Sequence, residues 1–111
     1  MSVTYRQIMV AMDNLAPMHL AESWDNVGLL VGSIADKTQK ILLTLDVDMD
    51  SVAYALNNGY GLIITHHPFI FKPLSNVITD QPQGKILKIL LSNSVGVFAA
   101  HTNLDIALGG V

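Results

Sequence analysis

Hydrophobic residues recur along this chain with two periods, and the switches between them predict the order of elements. Near the N-terminus Tyr5, Ile8, Met12 and Leu15 follow helical intervals. Thr4 and Gln7 stand at capping-box spacing around their start. A first helix is expected over residues 5–14, limited by Pro17. Residues 18–27 read as a loop or short helical turn carrying Trp24, Asp25 and Asn26. The apolar run 27–31, closed by Gly32, predicts a strand, and a second run, 41–45, ends at Asp46. About eight residues separate the two runs. A parallel crossover needs about a dozen or more, so these strands are expected to be antiparallel neighbours.

Asp48 is placed to cap a helix over 49–57, which carries Val52, Leu56 and several alanines. Asn57, Asn58 and Gly59 supply its stop. Leu62 to Thr65 form a third strand ending at His66. A strand–helix–strand unit of this kind is right-handed and parallel. Residues 67–82 contain Pro68, Pro73 and Pro82 and read as a long surface excursion. The next helix is expected over 84–92, with Ile86, Leu87, Leu90 and Leu91 inward and Lys85 and Lys88 outward. A fourth strand, 95–99, runs into Ala100 and His101. The fold class expected is α/β: one domain over residues 1–111, with a mixed, mostly parallel sheet and helices packed on it.

Composition changes this picture in two ways. Half of the 111 residues are hydrophobic and only 14% are charged, against a usual charged share of about a quarter. A small domain with so few charges is expected to bury surface in an oligomer, or against a part of its fold that this chain lacks. Net charge is −3, and the six Lys and Arg residues are scattered singly. No basic stripe exists to hold a phosphate backbone, so direct nucleic-acid binding is not expected. The absence of cysteine excludes a disulfide scaffold, a thiolate zinc site and a cysteine nucleophile. No apolar run approaches the roughly 18 residues of a membrane span, and the N-terminus lacks a signal-peptide pattern. A soluble, cytoplasmic protein with no membrane partner is expected.

The candidate chemistry follows from topology. Strands 41–45, 62–65 and 95–99 are expected to be parallel, so their C-terminal ends share one sheet edge. Asp46 follows the first, His66 and His67 the second, His101 the third. Open α/β sheets bind ligands beyond those ends. Taken alone, His66-His67 reads more simply as one packed and one exposed histidine. His101 and Asp105, four apart, face one side if the segment is helical; otherwise they are a loop histidine and a capping aspartate. Three of the four histidines at one edge turn the reading toward a metal site, and imidazoles with a carboxylate suit zinc, iron or manganese. His19 has no partner at ligand spacing and is assigned to surface or packing. Asp46 either orients a ligating imidazole or caps the following helix. Trp24, Asp25 and Asn26 either line the pocket, or Trp24 fills core while Asp25 and Asn26 make a turn; the turn is favoured. Lys72 either steers an anionic substrate or is simply solvated. No serine nucleophile elbow or phosphate-binding glycine loop is present, and Gly109-Gly110 lies too near the end for a dinucleotide fingerprint.

Three segments together resemble the Nif-three-like family, also known as GTP cyclohydrolase type 2-like proteins. They are Ala21-Glu22-Ser23-Trp24-Asp25-Asn26-Val27-Gly28-Leu29-Leu30-Val31-Gly32, Ile64-Thr65-His66-His67-Pro68-Phe69-Ile70-Phe71, and His101-Thr102-Asn103-Leu104-Asp105 with Gly109-Gly110. The match runs in order over essentially the whole chain. It implies one lobe of a Nif-three-like fold, two divalent transition metal ions in a cleft, a toroidal homohexamer and a hydrolase-like activity. By it, His66, His67, His101 and Asp105 match metal-ligand positions. Members also have a later segment whose His and Glu, four apart, complete the site. This chain ends at Val111 and its one glutamate is Glu22, so it is expected to be an N-terminal fragment or an unusually short member, in which a full two-metal site and catalysis are not assured.

The function expected is a metal-dependent hydrolase in which two metals acidify a water and polarise the scissile bond. Its substrate is a small molecule, GTP or a related nucleotide by resemblance, or another phosphorylated or cyclic amide compound. The alternative is a non-catalytic metal-binding or regulatory scaffold. A packing module without metal requires three histidines to meet at one edge by coincidence.

Overall fold

The computed structural model describes residues 2–108; Gly109-Gly110 lies outside them. A two-residue strand β1 (Val3–Thr4) leads into helix α1 (Tyr5–Leu15), where Thr4 and Gln7 form the expected capping box. After a 3-10 turn at Met18–Leu20 come β2 (Gly28–Val31), the short β3 (Lys37–Thr38), β4 (Ile41–Thr44) and α2 (Met49–Asn57). The chain continues through β5 (Leu62–Thr65), α3 (Pro82–Ser92), β6 (Gly96–Ala99) and α4 (Thr102–Ala107). Asp48 caps α2 in a box with Ser51, and Gly59, at φ +75, supplies the left-handed residue just beyond its end.

The fold is α/β, with a main sheet in the order β2-β6-β5-β4. β4, β5 and β6 are parallel in a continuous register, Leu43 beside Ile64 beside Phe98. β2 is antiparallel to β6, so the sheet is mixed. The expected pairing of 27–31 with 41–45 is therefore wrong: β2 and β4 occupy opposite edges. The intervening residues do not form a hairpin, because β3 leaves the sheet to pair with β1 in a separate two-stranded ribbon. A short connection rules out a parallel crossover but does not make its two strands neighbours.

Helices cover both faces. Val52 and Ala55 of α2 and Ile86, Leu87 and Leu90 of α3 pack with Val31, Ile63 and Val97 on one. Tyr5 and Ile8 of α1 pack with Leu62, Phe98 and Ala100 on the other, with Leu104 of α4 beside them. β6 is buried along its whole length, as a central strand between two covered faces must be. Two helix details depart from expectation. α3 begins at Pro82, whose fixed φ and missing N–H suit the first helical turn, so this proline starts the helix and is not part of the loop. Leu91 is 58% exposed, one position off the buried stripe of Ile86, Leu87 and Leu90.

Candidate metal centre

The parallel register carries three histidines to one edge. Pairing continues past the ends of β4 and β5: the His66 N–H donates to the Thr44 carbonyl at 3.1 Å and the His67 N–H to the Leu45 carbonyl at 2.9 Å. The buried Thr65 hydroxyl stands 2.9 Å from the Leu45 carbonyl and 3.0 Å from the His67 carbonyl, and its single proton serves one at a time. On the other side Ala100 N–H donates to the Thr65 carbonyl at 3.0 Å, which places His101 immediately beyond β6.

The result is a cluster in which one ring nitrogen of each of His66, His67 and His101 lies within 4.8 Å of the others. The rings stand 5.0 Å apart for His66 and His101, 5.1 Å for His66 and His67, and 5.8 Å for His67 and His101, all steeply tilted. Three imidazoles in such proximity are a suitable donor set for a borderline-soft divalent ion.

Each histidine has its own carboxylate. Asp105, on α4, places Oδ1 3.0 Å from His66 Nε2. Two ligands bound to one ion at about 2.0–2.2 Å stand about 3 Å apart, so this pair can converge on a shared ion. Asp46 Oδ1 lies 2.7 Å from His67 Nδ1, with both side chains more than half exposed. Asp46 is not the cap of α2, a role that Asp48 takes. Asp25 lies 3.1 Å from His101 Nδ1 through both carboxylate oxygens. When the Nδ1 of His67 and of His101 donates to a carboxylate, the lone pair is left on Nε2, and such pairs orient imidazoles toward metals.

Asp25 is the best-supported of these carboxylates. Its side chain has no solvent exposure. It also accepts from the Thr102 hydroxyl at 2.6 Å, the Thr102 N–H at 3.1 Å and the Asn26 N–H at 2.9 Å. Burial pushes its pKa upward, but the hydrogen bonds from Thr102, His101 and Asn26 outweigh burial and hold the carboxyl below its ordinary value. The turn favoured for Asp25 and Asn26 is present, since Asp25 N–H donates to the Glu22 carbonyl at 3.0 Å. The turn is not their whole role. Asn26 Nδ2 donates to the Ile70 carbonyl and ties this loop to the segment after β5. Trp24 is not core: it is 58% exposed, edge-on to His101 at 6.3 Å.

Thr102 and Asn103 drew no role from sequence reasoning. Thr102 accepts from Glu22 N–H at 2.9 Å while donating to Asp25. Buried Asn103 accepts from His101 N–H at 3.0 Å and donates to the Ala16 carbonyl at 2.8 Å, locking the His101 turn to the end of α1. Their place inside the His-Thr-Asn-Leu-Asp segment was the only available signal. Lys72 lies exposed beside Phe69, Phe71 and Pro73, and among the described residues it makes no hydrogen bond or ion pair with the cluster. His19 is exposed, on the 3-10 turn. An almost wholly apolar cavity of about 260 Å³, bounded by Met12, Leu43, Ile64, Ala100 and Leu104, has His66 in its wall.

The family model described as Duf34/NIF3 (NGG1p interacting factor 3) matches residues 3–111. The chain belongs to this family. Within the NIF3 family it is 47% identical over 100 residues to a Listeria monocytogenes protein named GTP cyclohydrolase 1 type 2 homolog, covering 90% of this chain and 27% of the relative. It is 42% identical over 100 residues to a Helicobacter pylori protein named GTP cyclohydrolase 1 type 2, covering 90% of this chain and 40% of the relative. Among solved structures, reduced HcgD from Methanocaldococcus jannaschii matches with TM-score 0.90 at 32% identity, over 99% of this chain and 44% of that one. A Bacillus cereus protein related to NIF3 matches with TM-score 0.88 at 36% identity, over 93% of this chain and 28% of that one. The chain thus spans between 26% and 41% of the length of the curated relatives it matches. Among the described residues, no helix is long and apolar enough to cross a membrane.

Proposed function

We propose that this protein contributes to a metal-dependent hydrolase centre, with His66, His67, His101 and Asp105 as ligands. One observation carries the reading: three imidazoles converge at the strand ends, and two of them have Nδ1 engaged by a carboxylate. The ions are two divalent transition metals, zinc, iron or manganese, and groups outside this chain complete their shells. When bound, such ions acidify water and polarise the bond to be cleaved. The chain's own residues orient the donors: Asp25 holds His101, Asp46 holds His67, and Asn103 fixes the turn between them and α4. Names of relatives support a small-molecule substrate such as GTP or a related nucleotide. The same reading includes a homo-oligomer, a hexamer by family resemblance, acting in the cytoplasm without nucleic acid or membrane.

Elemental mass spectrometry on protein purified without an affinity metal column tests the site. One or two equivalents of transition metal per chain, lost on replacing His66 and His101 by alanine, is the expected result. Metal content unchanged by both substitutions would sink the ligand assignment. Metal-loaded protein is then assayed for GTP ring opening, and absence of metal-dependent turnover removes that substrate.

A non-catalytic metal-binding scaffold is the second reading. It is favoured by the apolar edge at β4, where Leu43 is 73% and Leu45 65% exposed, a surface suited to partner contact. A loaded centre whose metal exchanges no water with solvent supports it over catalysis.

A further inference from the structure

Trp24 is the only tryptophan of the chain, and more than half of its surface is open to solvent. It does not stand alone. Phe71, 44% exposed, lies with its ring centroid 6.1 Å away at 70°, and His101 lies 6.3 Å away at 79°. Both angles are steep, so neither ring is stacked on a face of the indole. The two aromatic residues come from different loops, one before β2 and one after β5, and these loops are joined by the Asn26–Ile70 hydrogen bond. Each partner of that bond sits close in sequence to one ring, and the buried Asp25 anchors the residue next to Trp24. The indole is therefore held beside the histidine cluster by fixed neighbours on a short leash.

We infer that Trp24 and Phe71 form a subsite that receives a planar ring of the ligand beside His101. The inference rests on the reading of the histidine cluster as a metal centre, because a ligand held there is brought against the indole. A flat ring that packs against the exposed part of the indole gains aromatic contact that a saturated ring of equal size does not match. Preorganisation matters as much as contact: a tethered indole loses little freedom on binding. Trp24 and Phe71 are specificity-determining residues in this assignment and take no part in bond cleavage.

The test uses zinc-loaded protein and three hydroxamates that share one chelating group: acetohydroxamate, benzohydroxamate and cyclohexanecarbohydroxamate. Affinities are measured by calorimetry, and quenching of Trp24 fluorescence reports proximity in the wild type. The expected result is benzohydroxamate binding about three- to ten-fold tighter than its saturated counterpart. Trp24→Leu should abolish this preference and leave acetohydroxamate affinity unchanged, while Trp24→Phe should keep part of it. Phe71→Leu, at another exposed position, gives a second reading should Trp24→Leu not fold. Equal affinities for the two ring compounds in the wild type, or a preference that survives in both leucine variants, overturns the subsite alone. Failure of the protein to retain zinc overturns the metal reading and the subsite with it, whereas retained zinc that none of the three hydroxamates binds marks an enclosed centre and overturns the subsite and the catalytic reading.

Discussion

Asp25 accepts a hydrogen bond from His101 Nδ1 at 3.1 Å across 76 positions of sequence, from inside the protein. Removing the charge while keeping the shape should disturb the cluster without touching a ligand. Asp25→Asn turns one carboxylate oxygen into an amide donor that faces the donors of Thr102 and His101. Metal affinity is expected to fall about 10–100-fold, and stability by about 1–3 kcal/mol for the unsatisfied groups. Competition with a chromophoric chelator and thermal unfolding measure the two effects. Unchanged metal affinity would show that Asp25 only braces the loop.

Asp46 makes the same kind of contact with His67, but both side chains stand in water. Water can replace an exposed carboxylate as a hydrogen-bond partner. Asp46→Asn should therefore lower metal affinity less than Asp25→Asn, in the same titration. Equal losses would mean that burial does not rank the two supports.

The histidines should separate in the same way. His66→Ala and His101→Ala are expected to abolish metal retention on gel filtration, and Asp105→Ala to weaken it, since Asp105 reaches only His66. His19→Ala, on an exposed turn, should leave metal content at the wild-type level. Metal loss in that control would point to a site elsewhere.

Tyr5 links α1 to the sheet. Its hydroxyl donates to the Gly61 carbonyl and accepts from Gly96 N–H at 2.9 Å, inside the core. Tyr5→Phe removes that acceptor and leaves the Gly96 N–H with only its longer bond to the Gly61 carbonyl at 3.2 Å, which should cost about 0.5–1.5 kcal/mol in denaturant unfolding. Burial, with a smaller push from Asp36 and against the Gly96 hydrogen bond, raises the Tyr5 pKa. The neutral phenol is thus favoured in the folded state. Its contribution is complete below the unfolded value of about 10 and is lost as pH rises through the folded value. Alkaline destabilisation should be weaker in Tyr5→Phe than in the wild type.

Gly96 leaves the space that Tyr5 fills. A Cβ there would lie 2.4 Å from Tyr5 Cε2. Gly96→Ala should destabilise the fold by about 1–3 kcal/mol through overpacking, read by thermal melting. A neutral outcome would show that the Tyr5 ring can move aside.

Local rules made most elements legible. Capping at Thr4 and Asp48 works over three residues, and the apolar periods of α2, α3 and the parallel strands are local too. The parallel direction of β4, β5 and β6 followed from the strand–helix–strand pattern, and with it the meeting of His66, His67 and His101. The sheet position of β2 was not legible, because strand partners are chosen by long-range packing. The same limit left Asp25 open between a turn residue and an orienter of a ligand, and only the arrival of His101 and Thr102 from the far end of the chain shows what it faces. Trp24 looked like core for a related reason: an indole is apolar by type, and only the surrounding loops leave it exposed.

By itself, then, the sequence determined the three longer helices, the four strands of the main sheet and which residue types stand at the strand ends, because those properties depend on neighbours in the chain; the β1–β3 ribbon, a pairing of distant residues, gave no such signal. Which carboxylate faces which imidazole, and which strand lies at which edge, was decided only by the tertiary structure. These depend on contacts between residues far apart in the chain, where burial and hydrogen-bond satisfaction, not local preference, select the partner.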